Sequence, residues 1–451
     1  MVKTVKELTQ SIQVKEVLGS GGFAWVFKGV YQASDVAVKL AAAPKDTDRE
    51  RFCREAVLAQ QLRHPHVVTT YVARGAEMSS EMIEQCLELH TAGNGGGTGA
   101  GTSGGAGGSM APNHPGVPDA FNMLPNFPST RSEDNMGNPR VARQEAGGWG
   151  NALRSVGVLP DQILMVMVLE LCDMGNLSAT LKRGVFVPVP GRTSLLAARR
   201  MLVRTATEIC RGMLHLHISN VIHGDLKPSN VLLSRARKDR RGFVAKVADF
   251  GLSKLLHDDT NLVMSDHIGT VAYSSPEAIQ GNHSKACDVW SFGMLLWELV
   301  AQERPFSSFT PAQIMMGVGY NRLRPTWPRE VWPELCAIGE RCLATNPADR
   351  PSFAQLEEEL VVLEEALRDE SLRMSLQRAA AAAASTASTA STTSSCTDGP
   401  GPSIAATAAT AVAAAPVWAA VPAATTTAAA TAAPSAATAW TAVDARVAAA
   451  P

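Results

Sequence analysis

Residues Gly19–Val26 read GSGGFAWV, a glycine-rich turn between two expected strands. So little side-chain bulk lets backbone N–H groups approach a polyphosphate closely. A dinucleotide-binding fingerprint is disfavoured, because its glycines open a helix and these do not. Taken alone, the turn reads equally well as a plain hairpin. Thirteen residues past Val26, VAVK ends at Lys39, a lone lysine on an apolar strand. Glu55 falls on the helix that follows, where an ion pair would hold that ammonium. The remaining polar candidates carry blander readings. His215 and His217, like His64 and His66, read as packing and capping residues in preference to metal ligands. RARKDRR (Arg235–Arg241) reads as a solvated turn, with an acidic partner as the alternative. Cys172 reads as a buried, inert thiol, with a ligand-reactive one as the alternative.

The elements that must position these residues follow from periodicity. Short apolar runs from Ile12 to Leu40, broken at Gly19–Gly22 and Ala33–Asp35, predict three strands. Phe52, Ala56, Ala59 and Leu62 share one face of a helix over 46–62, after which HPHVVTTYV returns to strand. ILMVMVLEL (Ile163–Leu171) is one mostly apolar strand. Helical spacing then dominates, over Leu195–His217, Asp288–Ala301, Ile338–Ala344 and Phe353–Leu367. A small, mainly β lobe is thus followed by a larger helical one.

At 451 residues, length alone would suggest about three domains. Two stretches remove that expectation. Residues 77–160 hold the glycine run Gly93–Gly108, and 379–451 are nearly all Ala, Thr, Ser and Pro, so neither buries enough apolar surface to offset the entropy of ordering it. Within the insert, Glu77–Leu89 is expected to form one amphipathic helix and the rest a flexible tether. The tail, broken by Pro402, Pro416, Pro422 and Pro434, is expected to be disordered. About 290 residues remain, enough for one large core or two lobes. The 41 basic and 42 acidic residues give no net field that would draw nucleic acid or an anionic membrane. Eight cysteines without a CxxC pair indicate reduced thiols and no zinc site. No apolar leader, N-terminal myristoylation glycine or 18-residue apolar run is present, so the expectation is a cytoplasmic protein without membrane insertion.

Further along the chain stand HGDLKPSN (His223–Asn230), DFG (Asp249–Gly251), SPE (Ser275–Glu277), DVWSFG (Asp288–Gly293) and Arg350. With the glycine turn and VAVK, this ordered set resembles the eukaryotic protein kinases, from about Val14 to about Leu367 excluding the insert. HPHVV and DVWSFGMLLWEL resemble the tyrosine-kinase-like group of serine/threonine enzymes. The resemblance implies an α+β, two-lobed kinase fold, with a small N-terminal antiparallel β lobe plus one helix and a larger, mainly helical C-terminal lobe. It implies a catalytic domain over 12–370, interrupted at about 77–160, and a tail over 371–451. The implied cofactors are ATP and Mg2+. Gly19, Gly21 and Ala24 match the glycine-loop positions, Val26 the cover of adenine, and Leu18, Ala37, Glu170, Cys172 and Leu232 further nucleotide-binding positions. Lys39 matches the lysine that pairs with the α and β phosphates, and Glu55 its partner. Asp225 matches the acceptor of the substrate hydroxyl's proton and Lys227 a residue near the γ phosphate. Asn230 and Asp249 match the metal ligands, and Arg350 the buried partner of Glu277.

Lys227 and Thr270 resemble the serine/threonine signature, so the expected substrates are proteins with Ser or Thr acceptors. The alternatives are a pseudokinase scaffold and an interaction protein in which the kinase domain only targets. The sequence leaves the oligomeric state open. Two departures stand out. Ala24 replaces the third glycine, and Gly224 replaces the arginine that in this family receives an activation-loop phosphate. Activity is therefore expected not to depend on phosphorylating Thr260 or Ser265.

Overall fold

The computed structural model describes residues 2–20, 24–43, 56–57, 59–88, 148–189, 193–249, 254–255, 263–264 and 270–391. The alternating N-terminal runs form β1 (Ile12–Ser20), β2 (Ala24–Tyr31) and β3 (Ser34–Ala43). With β4 (Thr70–Glu77) and β5 (Ile163–Glu170) they make one sheet in the order β1-β2-β3-β5-β4, every neighbouring pair antiparallel. Register sets Val26 opposite Lys39 and Ala37 opposite Leu169. Because strand side chains alternate, Ala37, Lys39 and Ala41 share one face and Val36, Val38 and Leu40 the other. The first face packs Ala41, Met165 and Met167 against Ala56, in the helical residues that precede β4.

The second face is covered as well. Helix α1 (Val5–Thr9) lies against it, as do two helices inside the expected insert, α2 (Ser80–Glu88) and α3 (Trp149–Val156). Helix α2 matches the amphipathic helix expected there. Helix α3 replaces the last part of the expected tether with a docked element. Trp149, Ala152 and Leu153 are buried at i, i+3 and i+4, and Gly157 (φ +68°) ends the helix by donating its N–H to Leu153 and Arg154 carbonyls. The Trp149 indole N–H donates to the Ile12 carbonyl at 3.1 Å, and the Gly148 N–H to that of Val14 at 3.0 Å. These bonds occupy the exposed edge of β1. Burial on both faces explains why β3 and β5 read as nearly continuous apolar runs. Residues 89–147 lie outside the described residues.

The larger lobe starts with α4 (Leu177–Lys182) and α5 (Leu195–Ile218). The short strands β6 (Val221–Ile222), β7 (Val231–Arg235) and β8 (Phe243–Val247) follow. Helices α6 (Pro276–Ile279), α7 (Lys285–Ala301), α8 (Pro311–Tyr320), α9 (Pro333–Cys342) and α10 (Phe353–Ser391) complete it. Its core joins Ile209, Met213 and Leu216 of α5 to Phe292 and Leu296 of α7 and Phe353 and Leu356 of α10. At Gly212 a Cβ would lie 2.4 Å from the His66 carbonyl oxygen, so only glycine lets α5 come this close to the segment before β4. Helix α10 runs past the tail boundary expected at 371. Ala379–Ala384 has the highest helix propensity and the first proline comes only at Pro400, so nothing local stops the helix. Among the described residues, no helix is long and apolar enough to cross a membrane.

The cap makes a measurable contribution. Trp149→Ala should destabilise the protein by about 3–5 kcal/mol through the cavity left under α3. Trp149→Phe should cost about 1–3 kcal/mol, because the Ile12 carbonyl loses its donor. Urea unfolding of the full chain reads both; an unchanged midpoint for Trp149→Ala would mean that α3 contributes no packing.

Candidate active site

The loop after β6 converges on one carboxylate. Asp225 Oδ1 accepts from the Thr270 N–H at 2.9 Å, and Oδ2 accepts from Lys227 Nζ at 2.6 Å and Asn230 Nδ2 at 3.0 Å. Asn230 Nδ2 also donates to the Asp225 carbonyl at 2.8 Å, and Lys227 Nζ lies 2.5 Å from Thr270 Oγ1. The structure thus gathers Asp225, Lys227 and Asn230 and adds Thr270, which the sequence marked only as a signature of acceptor type.

The backbone of this loop is fixed from below by a buried carboxylate. Asp288 accepts the His223 and Gly224 N–H groups at 2.9 Å each, and its Oδ2 lies 2.8 Å from His217 Nε2. Burial alone would push its carboxyl up, but the His217 bond, neighbouring histidines and backbone donors outweigh it and hold it below the ordinary value. His223 accepts the Asp225 N–H on Nδ1 at 3.2 Å and meets the Ala248 carbonyl with Nε2 at 3.0 Å, an arrangement served by the Nε2–H tautomer. Gly224 sits at φ +76°, the left-handed region where a side chain is penalised. The departure from arginine therefore relaxes this turn. Thr260 and Ser265 lie outside the described residues.

From β3, Lys39 Nζ pairs with Asp249 Oδ1 at 3.0 Å. Asp249 itself adopts φ +65°, a conformation that Asp tolerates better than most residues and that clusters at functional sites. Hairpin register brings it to Asn230. Val231 pairs with Val247, and one step further the Ala248 N–H donates to the Asn230 carbonyl at 2.8 Å. Gly21 and Glu55 lie outside the described residues, so the expected Lys39–Glu55 pair does too.

Leu18, Gly19, Val26 and Ala37 lie on β1–β3, with Gly19 opposite Val26, and Leu232 lies on β7 in a bridge to Asn176. Glu170 ends β5, and its carboxylate holds Lys246 of β8, a residue the sequence reading left aside. Burial first, and Glu170 second, push the half-buried Cys172 thiol up to about 12, which keeps it protonated and inert. Arg350 is buried and grips Glu277 with both ends of its guanidinium, at 2.6 and 3.0 Å. It shares the Trp290 ring with Arg324, the two cations lying 5.1 and 4.3 Å from the ring centre.

One bland reading needs correction. Arg241, expected in a solvated turn, is buried and pairs with Glu208 and Asp239, while Ala245 donates to Glu208. Composition could not distinguish this arginine from its exposed neighbours. His64 and His215 pack on one another, whereas His217 bonds the Asp288 carboxylate. His64 stacks on His215 at 5.0 Å, and His66 Nδ1 lies 3.2 Å from the Ala245 carbonyl. Among the described residues, no group of three or more His, Cys, Asp or Glu is placed to hold a metal.

A five-stranded sheet joined by one segment to a helical lobe, with a lysine, a loop aspartate, an asparagine and a second aspartate around the cleft, defines the two-lobed kinase fold. The family model described as protein tyrosine and serine/threonine kinase matches residues 12–91 and 147–360, and the chain belongs to that family. Serine/threonine-protein kinase STY17 of Arabidopsis thaliana is 38% identical over 160 residues, covering 35% of this chain and 27% of that protein. Mitogen-activated protein kinase kinase kinase 13-B of Xenopus laevis is 33% identical over 207 residues, covering 46% and 20%. Mitogen-activated protein kinase kinase kinase 10 of Homo sapiens is 26% identical over 369 residues, covering 79% and 28%. The matches thus span less than a third of each relative's length. The family uses ATP with a divalent metal.

His64 generates a pH prediction. Burial first, then the neighbouring His215 and His66, push its pKa down to about 4. Between the unfolded value of about 6.5 and that folded value, the unfolded chain binds the extra proton, so this contribution to stability is complete above about pH 6.5 and drains away on acidification. Urea midpoints at about pH 7 and about pH 4.5 should therefore converge in His64→Gln relative to wild type. An equal pH slope in both proteins would contradict the packing of His64.

Proposed function

We propose that the chain is an ATP-dependent protein serine/threonine kinase whose catalytic domain spans 12–370, interrupted at about 77–160, with 371–451 outside it. The observation that carries the reading is the convergence of Lys227 on both the Asp225 carboxylate and the Thr270 hydroxyl. It pairs the loop aspartate with the two residues of the serine/threonine signature. The name of the Arabidopsis thaliana relative, serine/threonine-protein kinase STY17, supports the same acceptor class.

Phosphoryl transfer leaves little covalent work to the protein, so positioning and charge neutralisation dominate. Asp225 orients the Ser or Thr hydroxyl and accepts its proton, and Lys227 neutralises the transferred group. Gly19 would lie against the phosphates, and Lys39 would hold the α and β phosphates. Leu18, Val26, Ala37 and Leu232 would enclose adenine, and the backbone of Glu170 and Cys172 would serve its edge. Asn230 and Asp249 suit Mg2+. The asparagine's Nδ2 is committed to Asp225, which leaves Oδ1 for a hard cation beside the aspartate carboxylate. Bound ATP supplies the phosphoryl group, and the metal offsets its charge.

Incubating the full chain with ATP, Mg2+ and a peptide library tests this directly. Asp225→Asn should lower turnover by about 10²–10⁴-fold, and chelating the metal should abolish it. Equal signal from wild type and variant would remove the catalytic assignment, and phosphotyrosine in the products would remove the acceptor class. Because Gly224 offers no guanidinium to a phosphate, the Thr260→Ala, Ser265→Ala double variant should retain turnover.

A further inference from the structure

The segment joining the lobes, residues 170–176, is fastened along β7 and β8. Near its middle the Asp173 carboxylate accepts the Arg235 N–H at 3.0 Å and the Arg235 Nε–H at 2.9 Å. Beyond it, Met174 donates to the Leu233 carbonyl at 3.1 Å and Leu233 donates to that of Gly175 at 2.8 Å. Its first residue is held differently. Lys246 Nζ lies 3.0 Å from each carboxylate oxygen of Glu170. The Thr69 N–H reaches Glu170 Oε2 at 3.4 Å, and the Thr69 carbonyl takes the Glu170 N–H at 2.8 Å.

The two ion pairs differ in solvent exposure. Lys246 and Glu170 side chains are 13% and 20% exposed, whereas Arg235 and Asp173 are 65% and 42% exposed. An exposed pair is screened and contributes little, while losing one member of a largely buried pair leaves an uncompensated charge. Lys246 also sits where its pull matters. It lies opposite Leu232 in the β7–β8 register and three residues before Asp249, and Glu170 follows Leu169, the partner of Ala37. The pair therefore ties the end of β5 to the strand beneath the cleft.

We propose that Lys246 is a positioning residue for nucleotide binding, acting through the Glu170 carboxylate to set where the joining segment presents its backbone to the adenine edge. The proposal rests on the reading of the cleft as an ATP site. The Asp225 carboxylate is held by the Thr270 N–H and the turn before it by Asp288, so the pair governs nucleotide affinity and leaves that carboxylate in place.

The test measures ATP KM and kcat together with ADP affinity by calorimetry, on the full chain. Lys246→Met and Glu170→Gln should each raise KM and the ADP Kd about tenfold with kcat within about twofold. The double variant should be no worse than either single change, because both remove one interaction. Lys246→Arg should restore most of the affinity, and Arg235→Met, which breaks only the exposed pair, should leave KM unchanged. An unchanged KM in Lys246→Met, a fall in kcat alone, or an equal effect from Arg235→Met would overturn the proposal. Should Lys246→Met not fold, Glu170→Gln decides alone by the same criterion. A wild type that binds ADP but transfers no phosphate contradicts the proposed function and leaves the pair judged by Kd; one that binds no nucleotide overturns both.

Discussion

A buried carboxylate holds the loop before Asp225 in shape. Burying a charge is costly unless donors surround it, and Asp288 receives two backbone N–H groups and a histidine. Those two amides belong to His223 and Gly224, the residues immediately before Asp225. Once they are fixed, the left-handed turn at Gly224 sets the direction in which Asp225 leaves the loop, and His223 holds the Asp225 N–H from the other side. The position of the Asp225 carboxylate is therefore decided one layer below it, by a buried group.

The β7–β8 hairpin extends the same logic across the cleft. Glu208 of α5 secures β8 through the Ala245 N–H and secures the hairpin turn through Arg241, which Asp239 and Arg204 then balance. Val68 and His66 clip the segment before β4 onto Val247 at 2.9 Å each. Antiparallel register does the rest, bringing Asn230 beside the residues that lead to Asp249. One short hairpin thus carries a loop residue at one end and the partner of Lys39 at the other. Its stiffness determines how well the charged groups of the two lobes stay aligned.

These dependencies mark what the sequence could disclose. Asp225, Lys227 and Asn230 were legible because a loop keeps chemistry-bearing residues at short, fixed spacing. The positions of Leu232 and Glu170 followed from the same ordered motifs. The anchoring role of Asp288 was hidden, because its partners are backbone groups that carry no residue identity. Lys246 was hidden because an ion pair between strands far apart in sequence leaves no periodic signal. Arg241 was misread because a run of basic residues looks the same whether its last member is exposed or buried. Helix α3 was missed since eight residues beside a glycine-rich stretch are too few for periodicity to stand out, although Trp149, Ala152 and Leu153 were in view.

The insertion between β4 and β5 is tolerated for a physical reason visible at its base. Met78 donates to the Gln162 carbonyl at 2.9 Å and Asp161 donates to that of Met78 at 2.8 Å, so the hairpin is closed before the chain departs. With the ends already joined, lengthening the connection adds only a slowly growing entropy cost. The departing segments then repay part of it by covering Val36, Val38 and Leu40, a face too apolar to be left in water. Continuous apolar strands and a docked insert require one another: either alone would leave a hydrophobic surface exposed or a helix without a partner.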